Sequence, residues 1–317
     1  MANRKWTDEE FIDIWKRLGS PMAVSRETGL SIRRIYTRRD ALAKKGIYLP
    51  TVDSRGHGNT AWSPHVEFER RRKFEITDGV VIVFSDPHWL PDHSSVASEA
   101  LIRLIRDLKP KLVVCGGDAV DSDTVSRWDP TRGHHKRFNI REELECVREH
   151  FNALDAVLKK APRAWIMGNH DVRLSRFIAV KAPELKELPF LRLEEWAPKW
   201  PLSWTVEINS GGPGMTVIRH RNQAGMLHLQ GTKAGVHFCH GHLHKINVHV
   251  WPTFNGPRYS VDCGSLADPD SDGFDYTEGA APHQQGFAVL TFKAGKLMPP
   301  ELVHVIGGEA WFRGATV

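Results

Sequence analysis

The sequence predicts an α/β protein, a layered sandwich of two β-sheets flanked by helices, preceded by a small all-α domain of the helix-turn-helix type. Three observations carry this expectation. Apolar, β-branched runs recur from residue 80 onward, and several stop at a motif rich in Gly, Asp and His, as buried strands delivering polar groups at their ends would. Residues 1–73 hold 16 Lys/Arg against 9 Asp/Glu and the remainder 27 against 29, so the excess behind the net charge of +5 is all N-terminal. That basic segment also carries its own helix start and stop signals. The boundaries expected are a helical domain over 1–50, a linker and leading strand over 51–78, and the α/β domain over 79–317.

In the N-terminal segment, Thr7 and Glu10 form a capping box, with Trp6 and Phe11 spaced as a hydrophobic staple, so a first helix should run from Asp8 to about Leu18. Gly19 ends it. Ser20 followed by Pro21 opens a second helix that stops at Gly29, and Ser31 caps a third that reaches Lys45 before Gly46. Two helices joined by a tight Gly-Leu-Ser turn, the second longer and basic, follow the helix-turn-helix pattern. Val24, Leu30, Ile32, Ile35 and Leu42 are its candidate core. Arg33, Arg34, Thr37, Arg38, Lys44 and Lys45 fall largely on the outer side of the third helix, where a recognition helix meets the major groove and its phosphates. The stretch Ala23 to Ser31 resembles the DNA-binding modules of many bacterial and phage regulators, which implies DNA as a partner. A tri-helical docking domain with merely solvated charges is the alternative.

Thr51 to Pro64, rich in Gly, Ser, Asn, Thr and Pro, reads as a linker. Arg70 to Lys73 is either a second phosphate-binding patch or a strand edge defended by charge. Asp78-Gly79 marks a tight turn into the first of three buried strands, Val80–Phe84, Lys111–Cys115 and Arg163–Met167. A long amphipathic helix is expected over Asn139–Lys160, and later strands over Met215–Ile218 and Phe287–Phe292. Each of the first three strands delivers a motif at its C-terminal end, the edge where active sites of α/β sheets gather. The motifs are Asp86-Pro87-His88, Gly117-Asp118-Ala119-Val120-Asp121 and Gly168-Asn169-His170-Asp171. His220 and Gly241-His242-Leu243-His244 follow. Residues two apart on a strand share a face, so each Asp-x-His or His-x-His pair can aim at one point. A mixture of imidazole, carboxylate and amide oxygen suits borderline divalent ions such as manganese, iron or zinc.

This order of motifs resembles the calcineurin-like metallophosphoesterase superfamily, whose pattern runs Asp-x-His, Gly-Asp-x-x-Asp, Gly-Asn-His-Asp/Glu, a lone His, then Gly-His-x-His. The resemblance covers roughly residues 79–307, and implies two divalent metal ions, manganese first and iron, zinc or nickel as alternatives, that activate water and clamp the transferring phosphate. Carried over, it makes Asp86, His88 and His244 ligands of one metal, and Asn169, His220 and His242 ligands of the other, with Asp118 bridging. His170 would protonate the leaving oxygen, and Asp121 would orient it, Asp171 being the lesser candidate. Arg221 stands where the family has glycine, and His228 competes with His220 for the fourth motif. His220 is favoured because Met215–Ile218 reads as the strand that delivers it. Protein phosphatases of the superfamily continue the second motif with an arginine that grips a terminal phosphate. Here Ser122 and Asp123 follow, and a negative charge there favours a phosphodiester.

The remaining features bound the reading. No apolar span reaches the length of a membrane helix, and the N-terminus lacks the apolar core of a signal peptide. Cys115, Cys146, Cys239 and Cys263 lack Cys-x-x-Cys spacing and fit reduced thiols of a cytoplasmic protein, and the resemblance to bacterial and phage proteins implies a bacterial or phage-infected cell. The loop Ser126–Phe138, with Arg127, Trp128, Arg132 and Lys136, is either a stacking and phosphate-holding loop or an ordinary insertion. Asp268 to Gly273 begins like a calcium loop but has Gly279 where the closing glutamate belongs, so it reads as solvated and acidic. The expected function is therefore a metal-dependent phosphodiesterase acting on DNA, a nuclease recruited by its helical domain. The alternatives are a phosphatase or small-nucleotide phosphodiesterase tethered to DNA, and a non-catalytic DNA-binding regulator.

Overall fold

The computed structural model describes residues 6–47, 49, 69–91, 93–126, 138–186, 188–221, 235–269 and 283–317. The linker 51–64, nearly all of the 126–138 loop, His228 and the acidic loop beyond Pro269 lie outside the described residues. The chain separates into two compact units, residues 1–66 and 67–317.

In the first unit, α1 (Asp8–Leu18), α2 (Pro21–Thr28) and α3 (Ile32–Lys44) form where the punctuation places them. The capping box closes from both sides, the Glu10 amide donating to Thr7 Oγ1 at 3.2 Å and the Thr7 amide to Glu10 Oε2 at 2.9 Å. Gly19 and Gly29 end α1 and α2 in the left-handed conformation, and Ser31 Oγ accepts from the Arg34 amide. Phe11, Ile14, Trp15, Val24, Ile35, Leu42 and Leu49 make the core, with Trp6 and Leu30 packed against it. Two expectations need correction. Ile32, the first residue of α3, is 38% exposed and lies outside that core. Arg38 does not project freely: its guanidinium donates to Asp8 Oδ1 at 2.9 Å and to the Trp6 carbonyl at 2.6 Å, over the Phe11 ring. Lys45, two turns further along, pairs with the other Asp8 oxygen at 2.9 Å. Both cations answer the acidic first turn of α1, which sequence spacing within α3 could not show. Arg33, Arg34, Thr37 and Lys44 are exposed.

The second unit contains, in chain order, β1 (Arg71–Phe74), β2 (Gly79–Phe84), α4 (Val96–Leu108), β3 (Leu112–Cys115), α5 (Ile140–Leu158), β4 (Arg163–Ile166), α6 (Asp171–Lys181) and α7 (Leu193–Trp196). The strands β5 (Leu202–Ser203), β6 (Thr205–Ile208), β7 (Thr216–Arg219), β8 (His237–His240), β9 (Ile246–Trp251) and β10 (Arg258–Cys263) follow. It closes with β11 (Gly286–Lys293), β12 (Lys296–Leu297), β13 (Glu301–Ile306), β14 (Glu309–Phe312) and β15 (Ala315–Thr316). One sheet runs β15-β14-β13-β11-β2-β3-β4-β5, with β12 on β11, and the other β1-β6-β7-β8-β10-β9. The basic run 70–73 thus lies partly in an edge strand, β1, paired in parallel with β6.

Alternation decides the layering. Val81 and Val83, Leu112 and Val114, Ala164 and Ile166 face one shared core with Val206, Ile208, Ile218, Cys239, Val261 and Cys263 of the opposite sheet. This is how two stacked sheets bury their inner faces. The intervening residues point to the helical layer, where Phe151 of α5 meets Trp165 and Trp200, and Phe84 meets Trp89 and Trp200. Because β2, β3 and β4 are parallel, their C-terminal ends lie side by side and bring three distant motifs to one edge. The four cysteines are buried and unpaired as disulfides. Among the described residues no helix is long and apolar enough to cross a membrane.

Candidate metal centre

At that edge the backbone leaves its ordinary conformations. Asp86, His88, Asp118, His242 and His244 all have positive φ, between 41° and 73°. Such conformations cost free energy in residues bearing a Cβ and persist where the surroundings fix them, most often at functional sites. The motif glycines permit close packing. A Cβ on Gly168 would collide with the Asp118 carboxylate, and one on Gly241 with the Ser85 hydroxyl and the Asp86 carboxylate.

Three clusters result, each with its ligand atoms within 4.8 Å of one another: Asp86, His88 and His244; His88, Asp121 and His170; and Asp118, His220 and His242. In the first, Asp86 Oδ2 accepts the His242 amide at 2.7 Å, while Oδ1 is buried without a hydrogen bond, 3.2 Å from His244 Nε2. In the third, His220 Nδ1 hydrogen-bonds the Gly116 carbonyl at 2.9 Å, turning Nε2 to Asp118 Oδ2 and Asn169 Oδ1, each at 3.0 Å. A carbonyl behind an imidazole in this way is the usual means of presenting the other nitrogen to a metal. The other oxygen of Asp118, Oδ1, accepts the His170 amide at 2.7 Å. His170 Nδ1 and His88 Nδ1 share Asp121 Oδ1, at 2.7 and 3.0 Å. The structure thus brings all nine predicted site residues of this unit together.

Electrostatics show what the donor set demands. Burial works to raise the Asp118 and Asp86 pKa values, yet His220 and His170 hold Asp118 well below the carboxylate range, and His244 and His220 do the same for Asp86. Burial likewise opposes charge on His220, but Asp118 and Asp86 push it up to about 9. Burial and then the charge of His220 push His242 down to about 4. Anionic carboxylates thus face one another across a buried space in which protonated imidazole supplies the compensating charge. Divalent cations would take that place and release the protons. The buried bare oxygen of Asp86 and the imidazole, carboxylate and amide donors fit such ions.

Several residues of the site escaped the sequence reading. Asp171 does not touch the His170 ring in any described hydrogen bond. It accepts the amides of Asp118, Ala119, Val120 and Gly168 at 2.8 to 3.1 Å and the Trp165 indole at 3.2 Å, clamping the second and third motifs together. Burial, then the charge of Asp118, raises its pKa to about 6. Glu143 of α5 accepts the Ser122 amide at 2.7 Å, and burial together with Asp121 pushes it up to about 8. His283 stands behind His244, the Nδ1 atoms 3.3 Å apart. Arg173 of α6 reaches His170. Of these only Asp171 is visible in the sequence, as the last residue of the third motif, where it reads as a lesser partner for His170.

Residues 79–260 match the calcineurin-like phosphoesterase family. The chain belongs to the calcineurin-like phosphoesterases. It is therefore a metal-dependent phosphoester hydrolase, with divalent ions as its cofactors. This phosphoesterase is similar to the Gene 54 proteins of Mycobacterium phages D29 and L5, at 26% and 27% identity, over 72% of this chain and 94% of each relative. Among solved structures it is similar to zinc-complexed Vps29 from Entamoeba histolytica, with a TM-score of 0.42 and 15% identity over 75% of this chain and 98% of that one. The phosphoesterase Yfce from E. coli matches with a TM-score of 0.35 and 14% identity, over 70% of this chain and 97% of that one.

Proposed function

We propose that this phosphoesterase is a phosphodiesterase acting on DNA, a nuclease of the cytoplasm of a bacterial or phage-infected cell, with manganese as its metal. The observation that carries the reading is the pairing, in one chain, of the convergent Asp/His/Asn site with a separate basic three-helix unit whose Arg33, Arg34, Thr37 and Lys44 are exposed on α3. Exposed guanidinium and ammonium groups on one helix suit phosphate contacts, which supply most sequence-independent affinity for DNA. Arg38 and Lys45 contribute less, because Asp8 already engages them.

Asp86, His88 and His244 would hold one ion, Asn169, His220 and His242 the other, and Asp118 both. When bound, two such ions supply a nucleophile from water at neutral pH and counter-charge for the phosphate oxygens. The protein itself sets the geometry. Asp121 accepts from His170 Nδ1, which fixes the ring. Nε2, 4.0 Å from Asp118 Oδ2 and in this structure 2.9 Å from Arg173 Nη2, is then the atom that would carry the proton to the leaving oxygen once the guanidinium turns to the substrate. Asp171 holds the two loops carrying Asp118 and His170 at a fixed separation.

Hydrolysis of a generic diester, a generic monoester and linear DNA in manganese, by the intact chain and a chain lacking residues 1–50, tests the proposal. The diester rate is expected to survive truncation. Affinity for duplex DNA should fall, with a shallower dependence on salt, as fewer counterions are released. Equal binding and cleavage of long DNA by both chains at every salt concentration would make the helical unit a docking domain and remove the support for DNA.

A further inference from the structure

The centre has an uneven charge. Asp86, Asp118, Asp171 and Glu143 are buried around it, and Asp121 is 15% exposed. Where a phosphate-gripping arginine would follow the second motif, Ser122 and Asp123 stand, and neither can replace it. Ser122 is buried in the left-handed region, with its amide given to Glu143, and Asp123 opens a short 3-10 turn. A cationic side chain for the substrate must come from another element.

Arg173 comes from α6, as the third residue of that helix. A cation in the first turn opposes the helix dipole, so helix stability does not explain its position. Its Nη1 donates to the Asp121 carbonyl at 2.9 Å and stands 4.0 Å from Asp121 Oδ1, which fixes the guanidinium against the second motif. Its Nη2 lies 2.9 Å from His170 Nε2, the nitrogen that is 4.0 Å from Asp118 Oδ2. Two hydrogen-bonding groups thus meet at the rim of the cluster, and an oxygen bound to one is within reach of the other. The side chain is 20% exposed, held in place yet accessible.

We propose that Arg173 binds a non-bridging oxygen of the substrate phosphate, supplying from α6 the cation that the second motif lacks. A guanidinium suits the task, since its planar fork matches phosphate and stays charged at any working pH. Anchorage on the Asp121 carbonyl keeps that fork oriented before substrate arrives. The argument against phosphate monoesters drawn from Ser122 and Asp123 then falls away. Arg221 is the rival cation. It is exposed, and its Nε donates to Asn169 Oδ1 at 2.8 Å, an oxygen that the second ion would take. The proposal rests on the reading of this centre as a phosphoesterase site and not on DNA as the substrate.

Manganese-loaded wild type, Arg173→Gln, Arg173→Lys and Arg221→Gln are compared for inhibition of generic diester hydrolysis by inorganic phosphate, for phosphate binding by calorimetry, and for metal content. Arg173→Gln should weaken phosphate binding about 10- to 100-fold, the range lost with a charged hydrogen bond, and raise KM more than it lowers kcat. Metal content should stay unchanged. Arg173→Lys should recover part of the loss, and Arg221→Gln should weaken phosphate binding less than Arg173→Gln does. Unaltered phosphate binding in Arg173→Gln, with a defect confined to kcat, overturns the proposal and leaves Arg173 as a positioning residue for His170. A larger loss in Arg221→Gln than in Arg173→Gln overturns it too. A wild-type chain that hydrolyses neither the generic diester nor a generic monoester would contradict the phosphoesterase reading instead, and calorimetry would still decide Arg173.

Discussion

The two halves of the metal cluster are held by different means. His220 is fixed by the main chain: its Nδ1 bonds the Gly116 carbonyl, and a Cβ on Gly117 would lie 2.6 Å from the same nitrogen. In the other half, His88 is held by the Asp121 carboxylate and His244 has the His283 ring behind it. A ligand braced by backbone moves only when its strand moves, whereas one braced by a side chain inherits that side chain's freedom. By this measure His220 is more firmly braced than His88. The half around His88 shares Asp121 with His170, so one carboxylate couples a metal ligand to the proton donor.

The sharpest way to break this comparison is at the shared member. Asp118→Ala should lose both ions and all turnover, because in the proposed arrangement this one carboxylate would serve both ions. An ion retained at full occupancy in that variant would show that Asp118 belongs to one half only. Next in size, His220→Ala should empty the half that His220 belongs to while the first ion remains, and His228→Ala should change little. The reverse result, read by metal analysis of the two variants, would move the fourth motif to His228.

Asp121→Asn probes the coupling. It should weaken the first ion by about 10- to 100-fold, as loss of a partner behind a ligand does, and lower turnover with it. The second ion should stay bound with its original affinity. If the ions weaken equally, the two halves are not separately braced.

The smallest effect concerns stability. Burial, then Asp121, raises Glu143 from 4.5 to about 8. The folded chain then binds a proton that the unfolded chain has already released, so this group's contribution declines as pH rises from about 4.5 to about 8 and is flat beyond. Glu143→Gln should remove that slope from the pH dependence of denaturant unfolding. An unchanged slope would assign it to another group.

How much of this was legible in the chain depends on whether the signal was local. The capping box at Thr7, the stop at Gly19 and the strands ending at Phe84, Cys115 and Ile166 are written in adjacent residues, and β2, β3 and β4 align their motifs because they are parallel. The polar residues missed depend on neighbours far along the chain. Asp171 looked like a partner for the adjacent His170 but serves amides more than fifty residues away, and Glu143, in the first turn of α5, finds Ser122 twenty-one residues back along the chain. Arg38 looked free because helical spacing shows which face a residue occupies and not that Asp8 of another helix waits there.

The central claim is that Asp86, His88, Asp118, Asn169, His220, His242 and His244 build one centre for two ions that drives phosphoester hydrolysis. The most direct measurement is a titration of metal-stripped intact protein with manganese, following heat and hydrolysis of a generic diester together. The account predicts two ions per chain, with hydrolysis absent before metal is added and full only when both have bound. A single ion at saturation, or hydrolysis that persists after complete chelation, would contradict it.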